Sequence, residues 1–246
     1  MRATLQEVAA KAGAARDMES FWSMIHTELT DRGAASLLYG VLGFKREVAV
    51  HKLTKSVIWK GTHKREFFNV FGSETFLDDD MTARHCVESR DVLIWHDDRN
   101  WAKATPAELR RARISTDLGF EVGFTIPSSH FGPGRIGGIG VSFPDIPAKE
   151  FPRFWRQEGR ELISICGLLD MGMREEHISS LVRLSGRETE CLTWLAAGLR
   201  PDQIAHRLNI GGKSVEKYVA GARRKLRAAT RDHAVAKAMA LRLIEP

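Results

Sequence analysis

Lys213, Ser214, Glu216 and Lys217 sit within five residues of one another, and Arg223, Arg224 and Lys225 follow about two helical turns later. Short polar and cationic side chains near the start of a helix suit base edges and phosphates in a major groove. A basic cluster further along suits phosphate alone. Between these residues, Val215, Tyr218, Val219, Ala222 and Leu226 recur at helical spacing, so the stretch reads as a helix with one apolar and one basic face. A lone basic helix is most often a solvated face. The elements beside this one give it a different meaning.

Upstream, Ser185 with Glu188 three residues on forms a capping box, in which each side chain satisfies a backbone N–H at a helix start. Leu192, Leu195 and Ala196 follow on one face, and Gly198 supplies a left-handed stop. Pro201 suits the first turn of a second short helix, with Ile204, Ala205 and Leu208 as its buried stripe. Gly211-Gly212 is expected to make the turn into the basic helix. An alanine-rich fourth helix spans roughly 231–243. Two short helices around a tight turn, the second basic on its outer face, are the pattern of a helix-turn-helix.

The distribution of charge agrees. Net charge is +6, and residues 184–246 hold 12 Lys and Arg against 6 Asp and Glu, while the remaining 183 residues carry 25 of each sign. A polyanion-binding module joined to a neutral domain has this asymmetry. The hydrophobic fraction of 43% supports a packed core rather than global disorder. Cys86, Cys166 and Cys191 form no C-x-x-C pair and suggest reduced thiols. The sequence shows neither a signal peptide nor an apolar run of membrane-spanning length, so a cytoplasmic protein without membrane contact is expected.

The first part of the chain reads as mixed α/β. Two amphipathic helices fill residues 1–32, striped by Leu5, Val8, Ala9 and Ala12, then by Phe21, Trp22, Ile25 and Leu29. Strands are expected over 36–42, 56–59, 92–95, 120–126 and 136–143. A helix is expected over 64–71, and the acidic run Asp78-Asp79-Asp80 can start another through Glu88. Thr105-Pro106-Ala107-Glu108 begins a helix to about Asp117. A longer helix spans 148–169. The fold class is therefore an α/β (α+β) domain with an antiparallel sheet flanked by helices, residues 1–169, a linker over 170–183, and an all-α four-helix helix-turn-helix domain over 184–246.

Across those last 63 residues the chain resembles the LuxR-type (quorum-sensing) transcription regulators. The resemblance rests on Leu184-Ser-Gly-Arg-Glu188, Trp194, Gly198, Ile204-Ala205, Leu208, Lys213-Ser-Val215, Lys225-Leu226 and Ala234-Val-Ala-Lys-Ala238. It implies double-stranded DNA bearing an inverted repeat as partner, and a homodimer or a heterodimer with a related regulator. Gly211 stands where the family usually has serine, and Tyr218 replaces a common histidine. The family places an autoinducer-binding domain first, and residues 18–170 resemble it more loosely. Phe67, Phe71, Asp80-Met81 and Trp95 fall, without gaps, on the spacing of its lactone pocket, and Gly123–Pro127 and Ile139–Ser142 match further. The resemblance thus implies ligand contacts at Phe67, Phe71, Asp80, Trp95 and Ser142. In relatives that bind acyl-homoserine lactones, the first two positions are Trp and Tyr and donate to the ligand. Phe67 and Phe71 keep the aromatic area and lose both donors, at a typical cost of about 1–3 kcal/mol per missing bond. The expectation is an atypical member that binds an acyl-homoserine lactone weakly, takes another small apolar signal, or needs none.

Other signals carry less. Gly132-Pro-Gly-Arg-Ile-Gly137 matches a dinucleotide fingerprint in letters only, since a strand rather than a helix follows, and a hairpin loop is expected. The acidic runs at 78–80 and 96–98 lack metal-ligand spacing. No grouping of nucleophile, base and orienting residue emerges, so neither a catalytic site nor a small-molecule enzyme with a DNA-binding appendage is expected.

Overall fold

The computed structural model describes residues 2–50, 52–63 and 65–245. Helices α1 (Leu5–Gly13) and α2 (Met18–Thr30) open the chain, each begun by a capping box. There follow β1 (Ser36–Val41), the single turns α3 (Glu47–Val50) and α4 (Leu53–Ser56), β2 (Ile58–Gly61), α5 (Arg65–Phe71) and α6 (Met81–Glu88). Next come β3 (Leu93–Ile94), α7 (Asp98–Trp101), α8 (Pro106–Asp117), β4 (Gly123–Pro127), a 3-10 turn at Ser128–His130 and β5 (Gly137–Ser142). Helices α9 (Phe151–Glu175), α10 (Ile178–Val182), α11 (Gly186–Ala196), α12 (Pro201–Leu208), α13 (Gly212–Leu226) and α14 (Arg231–Ala240) complete it.

The five strands form one antiparallel sheet in the order β2-β1-β5-β4-β3. Its two faces are unlike. Leu37, Tyr39, Val41, Phe124, Ile126, Ile139 and Val141 pack against α1, α2 and α9 in the main core, around Phe21, Ile25, Leu162 and Leu169. The alternate positions face α5 and α6, where a smaller cluster gathers Leu42, Val57, Phe67, Phe76 and Leu77. Five of those alternate positions are glycines, Gly40, Gly61, Gly123, Gly138 and Gly140, so much of the second face is floored by backbone. The face of the sheet away from the main core is thereby left with room.

Several expectations are corrected. Leu5 and Ala9 are exposed, so Val8 and Ala12 alone anchor α1. The strand expected from Ser56 starts at Ile58, because Leu53–Ser56 coils into α4. Helix α5 begins at Arg65, and Lys64 lies outside the described residues. The expected linker is mostly helix: α9 continues to Glu175 and α10 follows, with Asp170, Met173, Ile178 and Val182 buried. Asp170 holds this junction by accepting from Ser128 (2.7 Å), Arg135 (2.9 Å) and Arg174 (3.0 Å). Asn209, not a glycine, takes the left-handed conformation between α12 and α13, and Gly211 is instead the N-cap of α13. Gly198 adopts φ +89° as its place after α11 requires.

The two domains share one apolar core. Leu192, Ala222, Leu226, Ala234, Ala238, Leu241 and Ile244 belong to the same buried cluster as the main core of the sheet. A second, local cluster of Cys191, Ile204, Val215 and Val219 holds α11, α12 and α13 together.

Candidate functional site

Between the glycine-floored face and helices α5, α6 and α8 lie two adjoining cavities, of about 340 Å³ and about 70 Å³. Leu38, Leu77, Asp80, Thr82 and Gly140 belong to the walls of both. The larger is in the size range of small-molecule sites. The smaller cavity is apolar, closed by Leu53, Val57, Trp59 and Val87. Most polar groups are in the larger one.

Several of those polar groups are satisfied from within. Asp80 caps α6: its Oδ1 accepts from Thr82 N (2.9 Å), Thr82 Oγ1 (2.7 Å) and Ala83 N (3.3 Å). Its Oδ2 accepts from Arg111 of α8 at 2.9 Å. Arg111 also donates to the carbonyl of Phe76, and its guanidinium lies 3.9 Å from the centre of the Phe71 ring. Trp95 donates its indole N–H to Thr125 Oγ1 at 2.8 Å. Ser36 bonds to Ser142 at 2.6 Å.

Of the residues expected to meet a ligand, Phe67, Asp80 and Trp95 line the larger cavity. Phe71 and Ser142 do not. Phe71 stands behind Phe67 and under Arg111, and Ser142 stands behind Ser36. Two residues missed by the sequence reading join the wall, His63 and Arg111. His63 stacks flat on Phe120 (5.0 Å, 6° between planes) and packs on Phe67 at 4.5 Å. Its Nδ1 is buried without a hydrogen-bond partner, and burial pushes its pKa down to about 4, so the imidazole is neutral near pH 7. Arg111 was detectable in principle. Helix α8 turns Glu108 and Arg111 inward while Leu109 and Ile114 are exposed, the reverse of an ordinary amphipathic helix. Glu108 meets Arg84 of α6 at 2.7 Å, so ion pairs dock this cavity wall.

The second candidate surface is the entrance of α13. Lys213, Glu216, Lys217 and Arg224 are exposed there, and Ser214 is half-buried. The remaining two cations also make contacts within the chain. Arg223 turns back to the Ala229 carbonyl. Lys225 pairs with Glu188 at 2.6 Å. That pair ties α13 to the capping box of α11, where Glu188 also accepts from Ser185 N at 2.7 Å. Burial works against the Glu188 charge, but Lys225 and Ser185 outweigh it and hold the carboxyl below its ordinary value. Arg207 of α12 lies over the Trp194 ring at 4.0 Å and buttresses the unit from its other side.

Among the described residues no group of three or more His, Cys, Asp or Glu could hold a metal ion, and no helix is long and apolar enough to cross a membrane. Residues 182–238 match the family model described as bacterial regulatory proteins, luxR family, and residues 17–170 match that of an autoinducer binding domain. The HTH-type quorum sensing-dependent transcriptional regulator RpaR of Rhodopseudomonas palustris is 30% identical over 203 residues, covering 81% of this chain and 78% of that one. The transcriptional activator protein BjaR1 of Bradyrhizobium diazoefficiens is 24% identical over 192 residues, 73% of each chain. In fold, the chain is similar to Escherichia coli SdiA, with a TM-score of 0.52 at 16% identity over 98% of both chains. It is similar also to SdiA in complex with octanoyl-rac-glycerol, with a TM-score of 0.51 at 17% identity and full coverage.

Proposed function

The chain belongs to the LuxR family and is a DNA-binding transcriptional regulator with an autoinducer-binding domain, and from that premise we propose that its sensor cavity takes a neutral, carbonyl-bearing amphiphile and that it reads DNA as a two-fold pair. The observation that carries the ligand reading is the unpartnered Nδ1 of His63, set beside the paired Asp80, Arg111 and Trp95, with His96 Nδ1 in the same wall also buried without a partner. Asp80 and Arg111 already neutralise each other. The remaining charged wall residues, Asp98, Arg113 and Glu121, hold no excess of positive charge. Of the wall cations Arg111 is already paired and Arg113 is exposed at the rim, so a carboxylate drawn into the buried part of this space would gain little counter-charge, which makes burying it costly. A neutral ester, amide or lactone needs only a hydrogen bond, and the imidazole can donate or accept one in place of the donors that Phe67 and Phe71 lack.

Thermal unfolding with a panel of acyl-homoserine lactones, mono-octanoyl glycerol and octanoate tests this. A neutral compound present at about a hundred times its Kd adds roughly 2.7 kcal/mol, a rise of about 5–10 °C for a chain of this size. Stabilisation by octanoate and by none of the neutral compounds would overturn the reading. A second reading, regulation without ligand through a related partner chain, draws on the same ion pair: Asp80 and Arg111 complete each other with the cavity empty. A melting temperature indifferent to the whole panel favours it.

For DNA, the proposed contacts are Lys213, Ser214, Glu216, Lys217 and Arg224. A two-fold pair implies half-sites about 34 Å apart. Light scattering of the free protein and of its complex with duplex DNA measures the stoichiometry, and one chain per inverted repeat would exclude the pair.

A further inference from the structure

The DNA-binding domain is fastened to the sensor domain at a buried ionic contact. Lys237 of α14 donates to Glu47 of α3 at 2.6 Å, and both side chains are fully buried. Glu47 is otherwise satisfied by the N–H groups of Gly43 (2.9 Å) and Phe44 (3.0 Å), and His233 Nε2 stands 3.7 Å away. Lys237 also donates to the Ser56 carbonyl, and Arg227 donates to the Thr54 carbonyl at 2.7 Å. A side chain at Gly43 would collide with Glu47 and Lys237, so the contact depends on that glycine. Burial of both charges recovers little net stability, because the attraction mostly offsets the desolvation. Such a contact fixes geometry and can open without a large net cost.

Both carbonyls belong to α4, a single turn on the order of 6 Å long. Its other side is a cavity wall. Leu53 and Val57 close the smaller cavity. The Thr54 hydroxyl, fully buried, accepts from Leu77 N at 2.9 Å and donates to Asp78 at 3.1 Å, and Leu77 lines both cavities. One residue therefore holds the cavity wall with its side chain and the DNA-binding domain with its backbone.

We propose that α4 couples the sensor cavity to the docking of the DNA-binding domain, apolar atoms in the smaller cavity backing α4 and tightening the Lys237–Glu47 latch. An apolar void leaves its lining without dispersion contacts on one side, so filling it steadies Leu53 and Val57 and with them the Thr54 and Ser56 carbonyls. Coupling of this kind is reciprocal: weakening the latch weakens the cavity wall to the same degree. The identity of the occupant rests on the function proposed above, but the coupling itself does not.

Hydrogen–deuterium exchange of the full chain without any ligand tests it. In Lys237→Met, Glu47 is left buried without its partner. Exchange in α14 and α4 is expected to rise on the order of 10²-fold while the centres of α11 and α13 keep their protection. Val57→Ala enlarges the cavity from the sensor side, within the cluster of Leu42, Phe67 and Leu77. It is expected to speed α14 roughly tenfold. If Val57→Ala loosens α4 while α14 exchanges at the unaltered rate, the coupling does not exist. If Lys237→Met leaves α14 unchanged, there is no latch. Should Lys237→Met fail to fold, Glu47→Gln keeps the Gly43 and Phe44 bonds, removes the charge, and must raise exchange in α14 for the proposal to stand.

Discussion

At the scale of single residues, the structure separates cations that look alike in sequence. Lys217 and Arg224 are exposed on α13, whereas Lys225 sits on Glu188. Replacing Lys217 or Arg224 with alanine is expected to weaken binding to duplex DNA and to reduce the slope of log affinity against log salt by about 1 for each lost phosphate contact. Lys225→Ala is expected instead to lower the melting temperature and change that slope less, because the ammonium, though exposed, is already paired with the buried Glu188. Anisotropy titrations over a salt series, with melting curves, read both. His63 gives a different signature. Its folded pKa of about 4 lies below the unfolded value of 6.5, so the unfolded chain binds more protons between those pH values. The protein is therefore stabilised as pH rises through that window and loses up to roughly 3 kcal/mol as pH falls from 6.5 to 4. His63→Gln should flatten this part of the pH profile of stability. An unaltered profile would mean that His63 is not buried neutral.

Elements with punctuation in their sequence were legible, and those without were not. Ser185 with Glu188 and Thr105 with Glu108 marked the starts of α11 and α8, and both capping boxes form. The single turns α3 and α4 have no room for a 3.6-residue pattern. The partner of Glu47 lies 190 positions away, so nothing local announced it. Arg111 escaped because α8 has no apolar inner stripe to mark its buried face. The helical form of residues 170–183 was not legible for a related cause: Asp170, Arg174 and Glu175 look like a solvated stretch until Arg135 is brought against them. Helix ends supply two further predictions. Gly198 has φ +89° with open space at its Cβ position, so Gly198→Ala isolates the backbone cost, about 1 kcal/mol, and should lower the melting temperature by roughly 2–4 °C. Gly211 caps α13 without a side chain, and Gly211→Ser should stabilise by a few tenths of a kcal/mol.

At the scale of the whole molecule, one apolar cluster runs from the sheet into α11, α13 and α14. Unfolding should therefore be a single calorimetric transition, with the van't Hoff and calorimetric enthalpies equal. Two resolved transitions would show that the shared core contributes little. The joining of the DNA-binding unit to the sheet was not legible, because the apolar positions of α13 and α14, Ala222, Ala234 and Ala238 among them, read as a local core and their partners across the chain carry no local signal. The 25 residues of α9 form a rod of roughly 38 Å that runs along the main core and reaches α10 after only Glu176 and His177. In such a rod, length is also phase. Each residue inserted or removed turns everything downstream by about 100°, and seven restore nearly the original bearing. A change of residue count in α9 would therefore swing α13 off the shared core and off the Lys237–Glu47 contact together, so that α9 can be retuned only in steps that preserve both.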